Sequence, residues 1–174
     1  SFRRWCIVGH WPVTLYHPHV PSAAPLLAEG RHIASIDGGC SLKVDGQLNA
    51  LVLPERPGGA FSWFAYDGLP TATALDPQAP SADSVNIRWG RNALEVLERG
   101  AELSLCRHLE TGRVLEVLTE YLYVDRGVTR CEDSTDYRLA VRPGDTLSVV
   151  RRISDRALVK KDGVTGWYFG RLAH

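Results

Sequence analysis

Cys6-Ile7-Val8-Gly9-His10-Trp11-Pro12-Val13 is the stretch of this 174-residue sequence with the clearest chemical potential. An apolar run that stops at Gly-His places an imidazole at the end of a strand, Gly9 permits a tight backbone turn, and Pro12 fixes φ in the loop beyond. An imidazole nitrogen in that position suits Mn, Fe or Zn. On residue type alone, His10 could equally be a hydrogen-bonded loop or core residue. His17-Pro18-His19 offers two imidazoles on one side of an extended segment, but no third ligand lies near in sequence, so a solvated loop is expected there. Cys6, Cys40, Cys106 and Cys131 are widely spaced and form no Cys-x-x-Cys pair, which argues against structural zinc, redox chemistry and a dense disulfide framework.

The elements that must carry these residues read as short strands. Trp5 to Val8, Ile33 to Ile36, Ser41 to Val44, Leu48 to Leu53 and Phe61 to Tyr66 are apolar or alternating runs separated by Gly, Pro and Asp. Asp45-Gly46 has the residues of a two-residue hairpin turn between the third and fourth of them. Pro18, Pro21 and Pro25 limit any helix before Arg31 to Ala23–Glu29. Residues 69–84 hold Pro70, Pro77 and Pro80 among small and polar residues, the composition of a connection, and place a boundary near residue 80. Beyond it two blocks share a plan. Strand-like runs from Leu94 and from Leu147, 53 residues apart, are each followed by a second strand, a turn at Thr111-Gly112 or Asp162-Gly163, and a third strand, which suggests an internal repeat.

Charge and composition narrow the partners. Twenty Lys and Arg balance twenty Asp and Glu, so no net field recruits nucleic acid or an anionic membrane, and no apolar run reaches the ~18 residues of a membrane span. With no initiator Met, no leader-like segment and Ser1-Phe2-Arg3-Arg4 running straight into a strand, the chain reads as the C-terminal piece of a longer, cytoplasmic protein.

The order of three motifs carries a resemblance. Gly9-His10-Trp11-Pro12, then Ile36-Asp37-Gly38-Gly39, then Gly46-Gln47-Leu48-Asn49-Ala50-Leu51 resemble the end of a calcineurin-like metallophosphoesterase, over roughly residues 5 to 66. That resemblance implies the C-terminal sheet of an α/β sandwich, with His10 as the last ligand of a binuclear Mn or Fe centre (Zn also fits). It implies structural roles beside the site for Gly9, Pro12, Asp37 and Gly38. The substrate class it implies is a phosphorylated protein or small molecule, and the partner is the missing N-terminal half of the same domain. The family's other ligands, in Asp-x-His, Gly-Asp-x-x-Asp-Arg and Gly-Asn-His-Glu motifs, are not in this sequence, so the isolated chain is expected to be inactive. Tyr123-Val124-Asp125-Arg126-Gly127 mimics one of them on the wrong side of His10 and reads as a turn.

Residues 136–172, with Pro143-Gly144-Asp145 leading into a Val-rich strand and Gly166-Trp167 opening the last one, resemble a Src-homology-3-like barrel. The expected layout is therefore mainly β: a metallophosphoesterase-like part over 1–80, a small β unit over 84–124 that could also be a barrel, and a barrel over 130–174. Trp167, Tyr168, Tyr137 and Phe169 either fill that barrel's core or line a peptide groove, and Arg151-Arg152 and Lys160-Lys161 read as solvated faces of a hairpin. The competing functional reading is a non-enzymatic module whose tandem barrels bind a peptide or wall component. Trp11, Tyr16 and Trp63 are available to stack on a substrate, with packing roles equally open.

Overall fold

Frequent Gly, Pro and Asp between short β-branched and aromatic runs leave no segment long enough to hold a helix by local hydrogen bonds alone. The computed structural model describes residues 2–56 and 58–173, and among these it is mainly β: seventeen short strands, three single 3-10 turns and no α-helix. Among the described residues no helix is long and apolar enough to cross a membrane.

β1 (Cys6–Val8), β2 (Leu26–Ala28) and β3 (Ile33–Ser35) form a sheet in the order β1-β3-β2, with β1 parallel and β2 antiparallel to β3. The helix expected over Ala23–Glu29 does not form. Pro25 interrupts it, and the sheet edge at β3 offers Leu26 to Ala28 the partners that a helix of under two turns cannot supply. A 3-10 turn over Glu29–Arg31 follows, ended by His32 in the left-handed region.

β4 (Leu48–Val52) pairs with β5 (Ser62–Tyr66), not with the strand expected at Ser41 to Val44. Residues 39–46 instead coil into successive turns, with Leu42 and Lys43 amides donating to the Gly39 carbonyl and the Gly46 amide to that of Lys43. Tertiary partners for Lys43 and Asp45, described below, decide this conformation. A Cβ on Gly46 would strike the Gly39 carbonyl, so close backbone approach is what this position requires. Cross-strand neighbours Leu48 and Tyr66, and Ala50 and Phe64, share one face of the β4–β5 ribbon, and that face is open: Tyr66 is 74% and Phe64 70% exposed.

β6 (Thr71–Ala74) lies inside the segment expected to be a connection. Ala72 and Ala74 point inward and are buried, and β6 pairs with strands from the C-terminal end, so the break expected near residue 80 falls within one sheet's chain path. Between β6 and its neighbour runs an inserted unit: β7 (Asn86–Ile87), the meander β8 (Leu94–Glu98), β9 (Leu103–His108) and β10 (Val114–Leu118), the hairpin β11 (Leu122–Asp125) and β12 (Val128–Cys131), and β13 (Ser134–Thr135), which returns to pair with β7. Then β14 (Thr146–Arg152), β15 (Ala157–Lys161), β16 (Val164–Tyr168) and β17 (Leu172–Ala173) complete a five-stranded sheet in the order β16-β15-β14-β6-β17. The sheet stays open, with β16 and β17 at opposite ends; neither unit closes into the expected barrel.

The two meanders repeat in register. Val96 faces Cys106 and Glu98 faces Leu105 across a bulge; 53 residues on, Val149 faces Val159 and Arg151 faces Leu158 across another. The inward alternate residues build two cores, one around Ile87, Leu94, Cys106 and Val117, the other around Leu147, Val159 and Tyr168. Leu118, from the inserted unit, and Leu158 and Trp167, from the five-stranded sheet, form a third cluster. Trp167 and Tyr168 fill space: the Trp167 Nε1 donates to the Thr135 carbonyl at 2.8 Å, and the Tyr168 hydroxyl donates to the Asp76 carbonyl at 2.7 Å. Phe169 is exposed, with the guanidinium groups of Arg138 and Arg156 over its ring. Asp162 and Gly163 both take positive φ, forming the tight β15–β16 turn expected, and Arg126 and Gly127 do the same between β11 and β12. Lys160 corrects its expectation as a solvated residue: it is 3% exposed and donates to the Asp45 carbonyl at 2.7 Å.

Candidate functional site

The parallel pairing of β1 and β3 brings two sequence motifs to one edge. Val8 is opposite Ser35 and the Ile36 amide donates to the Val8 carbonyl at 3.0 Å, so Gly9-His10 and Ile36-Asp37 leave the sheet side by side at the strands' carboxyl ends. His10 itself takes the positive φ of 73°, and Gly9 has open space around its Cα, so the turn is made by the histidine and not by the glycine before it. The His10 imidazole is exposed and makes no hydrogen bond among the described residues. Pro12 is buried, and the Val13 amide donates to the Asp37 carbonyl at 2.8 Å, which ties the loop after His10 to the second motif. Asp37 Oδ1 accepts the Gly39 amide at 2.8 Å and so holds the turn. A Cβ on Gly38 would collide with the Gln47 carbonyl and the Asn49 side chain. Asn49 in turn donates to the Ala23 and Ile36 carbonyls, locking the third motif against the first two. Among the described residues no group of three or more His, Cys, Asp or Glu is placed to hold a metal.

Of the His17-Pro18-His19 segment, Pro18 and His19 are exposed, as a solvated loop would be, and His17 is half-buried. Asn86 Nδ2 donates to the Thr14 and His17 carbonyls, the Asn86 amide donates to that of Pro18, and His19 Nδ1 lies 3.1 Å from the Ser84 carbonyl. Burial, with Arg88 nearby, pushes His17 below the usual histidine range. A second cavity of about 460 Å³ beside His19 is rich in cations, but Arg113 is bound to Asp83 and Asp136, and Arg91 to Glu110.

From His10 a larger cavity of about 470 Å³ runs between the 10–21 loop, the coiled 39–46 loop and both β units. Its walls are apolar, from Leu15, Pro21, Leu118, Val150 and Trp167, and its mouth carries Trp11 and Trp89, edge to face with ring centroids 6.1 Å apart. Lys43 reaches into it between Asp45 Oδ1, at 3.2 Å, and Asp133. Burial alone would lower the Lys43 ammonium, but the two carboxylates outweigh it and hold it above the usual lysine value. Burial would likewise raise Asp45, yet Lys43 and the Thr165 hydroxyl, 2.7 Å away, keep it below the ordinary carboxylate range. Tyr121 is pushed up to about 12 by burial and by the charges of Asp45 and Glu120. Asp133 also accepts the Trp89 amide at 3.0 Å, so one carboxylate orders both the ion cluster and the rim.

Sequence reasoning found His10 and Trp11 but none of Lys43, Trp89, Tyr121, Glu132 or Asp133. Asp45 was visible only as a turn former. Lys43 and Asp133 are 90 residues apart, and no local period or spacing links them. Comparison with protein-family models, with curated proteins and with solved structures finds no match.

Proposed function

We propose that this chain is the C-terminal portion of a metal-dependent phosphoesterase in which His10 supplies one ligand. The observation that carries the reading is the adjacency of Gly9-His10 and Ile36-Asp37 at the carboxyl ends of a parallel strand pair, the edge at which open α/β sheets gather their ligand-binding residues. His10 suits the role because its imidazole is exposed and free of internal hydrogen bonds, on a backbone held by Pro12 and Val13. Asp37, whose Oδ1 accepts the Gly39 amide, shapes the loop. One imidazole cannot retain a metal alone, so the other donors belong to a segment outside these residues. The open apolar face of β4–β5 supports this, since large apolar side chains aligned on one sheet face call for a covering layer.

In such a centre a pair of divalent metals supplies an activated water and neutralises charge on the phosphoryl oxygens. The chain's own part is to orient His10, with the loop after it tied to the Ile36-Asp37 segment through the Val13 amide and that segment packed against Asn49. The test is a longer chain that restores the upstream half. With added Mn it should hydrolyse a phosphomonoester, and His10→Ala should lower kcat by at least about 100-fold, the loss typical of a removed catalytic electrostatic contact. Full activity of that variant would overturn the assignment of His10.

A second reading, of the two β units as a non-enzymatic binding module for a peptide or wall component, is favoured by one observation. The larger cavity lies between those units and the 10–21 loop, and is apolar with a few convergent polar groups, as ligand sites are.

A further inference from the structure

The charges around the larger cavity are unequal. Asp45, Glu116, Glu132 and Asp133 line it against the single ammonium of Lys43. Lys43 is shared by Asp45 and Asp133, and Glu116 is held by Arg156, 2.7 Å away. Glu132 is exposed and makes no ion pair among the described residues, although its amide is fixed to the Tyr121 carbonyl at 3.0 Å. Trp11, Trp89 and Tyr123 line the same cavity. Trp89 is 67% exposed and Trp11 46%, large apolar surfaces left facing solvent at the rim of an apolar cavity. The Asn92 side chain donates to the Tyr123 hydroxyl at 3.0 Å and steadies that ring. Electron-rich rings and an unpaired carboxylate in one lining attract a cation, and the apolar walls accept a neighbouring aliphatic or aromatic group.

We propose that this cleft binds a basic peptide segment, with an Arg or Lys side chain placed among Trp11, Trp89 and Tyr123 and countered by Glu132, and an adjacent apolar side chain entering between Leu15 and Leu118. The inference rests on the binding-module reading and is independent of the phosphoesterase reading. The other occupant such a groove could take, an acidic peptide, meets net negative charge and no free ammonium. The cavity has room for two side chains, and the chain carries no net charge that would draw basic peptides to its surface at large.

The test uses the 174-residue chain and two labelled nine-residue peptides, one alternating Lys and Leu and one alternating Glu and Leu, titrated by fluorescence anisotropy at about 0.15 M salt. The basic peptide should bind at least about tenfold more tightly than the acidic one. Trp89→Ala should weaken it about fivefold to tenfold, within the range for an exposed to partly desolvated cation–aromatic contact. Glu132→Gln should weaken it by a similar factor, while Phe64→Ser, on the ribbon face away from the cleft, should leave it unchanged. Trp89 and Glu132 are exposed, so both variants should keep the unfolding temperature of the parent, and this is measured alongside. Equal binding of the two peptides, sensitive to Trp89→Ala, would overturn the charge preference and leave the binding-module reading standing. Absence of binding by either peptide would overturn the basic-peptide proposal. Tight binding of the basic peptide that ignores Trp89→Ala and Glu132→Gln would overturn the location.

Discussion

Lys43→Met removes the ammonium that joins the 39–46 loop to the inserted β unit while keeping the length of the side chain. Lys43 is 10% exposed, and its partners Asp45 and Asp133 are 17% and 19% exposed. Deleting one member of a buried ion cluster leaves the others uncompensated and costs about 3–5 kcal/mol; the residual exposure of all three places the expected loss near the lower figure, about 3 kcal/mol. For a chain of this size each kcal/mol moves Tm by about 2–4 °C, so calorimetry at pH 7 should show a fall of about 6–12 °C. The pH dependence has a definite direction. Asp45 is held below its ordinary value, so its share of the stability is present above the unfolded value near pH 4 and is lost as pH falls through the folded value. Lys43 is held above its ordinary value, so its share is present through the neutral range and is lost only as pH rises through its folded value above about 10.5. The gap between the parent and Lys43→Met should therefore be full at pH 7 and shrink below about pH 4. Asp133→Asn keeps an acceptor for the Trp89 amide, and a double-mutant cycle with Lys43→Met should give a coupling of about 1–3 kcal/mol. A Tm change below about 2 °C at pH 7, or a gap that stays constant down to pH 3, would refute the clamp.

Three further outcomes are expected. The Arg171 guanidinium and backbone amide hold Asp76 down to about 2; Arg171→Gln removes the guanidinium and keeps the amide, so an NMR titration should show that carboxyl raised part of the way toward its ordinary range near 4, and the interaction's contribution is present above about pH 4 and lost between about 4 and 2. Gly46→Ala drives a Cβ into the backbone carbonyl of Gly39, and denaturant unfolding should show a loss of about 1–3 kcal/mol; an unchanged midpoint would mean that the loop is not packed as described. A disulfide-exchange thiol reagent should label exposed Cys40 in the folded chain and reach Cys106 and Cys131 only on unfolding, because both are buried and burial lifts the Cys131 thiol to about 12.

Much of the framework was legible in the chain's local chemistry. β1, β3, β4 and β5 lie where alternating or apolar runs between breakers place them, and the Asp162-Gly163 turn follows from two residues that tolerate positive φ. The repeat was visible too, and pairing in the two meanders shows why. A bulge after Val96 and another after Val149 preserve the same inward alternation, and the loop after β9 is longer than the turn after β15. Errors fell where local propensity competes with a distant partner. Ala23–Glu29 has the composition of a short helix, but β3 offers its backbone an edge to pair with. Lys160 belongs to a charged pair on a strand that is buried on both faces, because the Asp45 and Gly46 carbonyls of a loop more than a hundred residues earlier receive its ammonium.

What the sequence alone determined is the β class, most strand positions, the Asp162-Gly163 turn and the placing of His10 at a strand end, all of which depend on residues within a few positions of one another. Only the tertiary structure decided that β6 belongs to the C-terminal sheet, that Asp37 serves a turn beside His10, and that Lys43, Trp89, Glu132 and Asp133 meet around one cavity. The division has a physical cause. Backbone geometry and side-chain alternation are local and leave a period in the sequence, whereas a buried charge is tolerated only where folding delivers its counter-charge, and the partner's distance along the chain leaves no periodic trace.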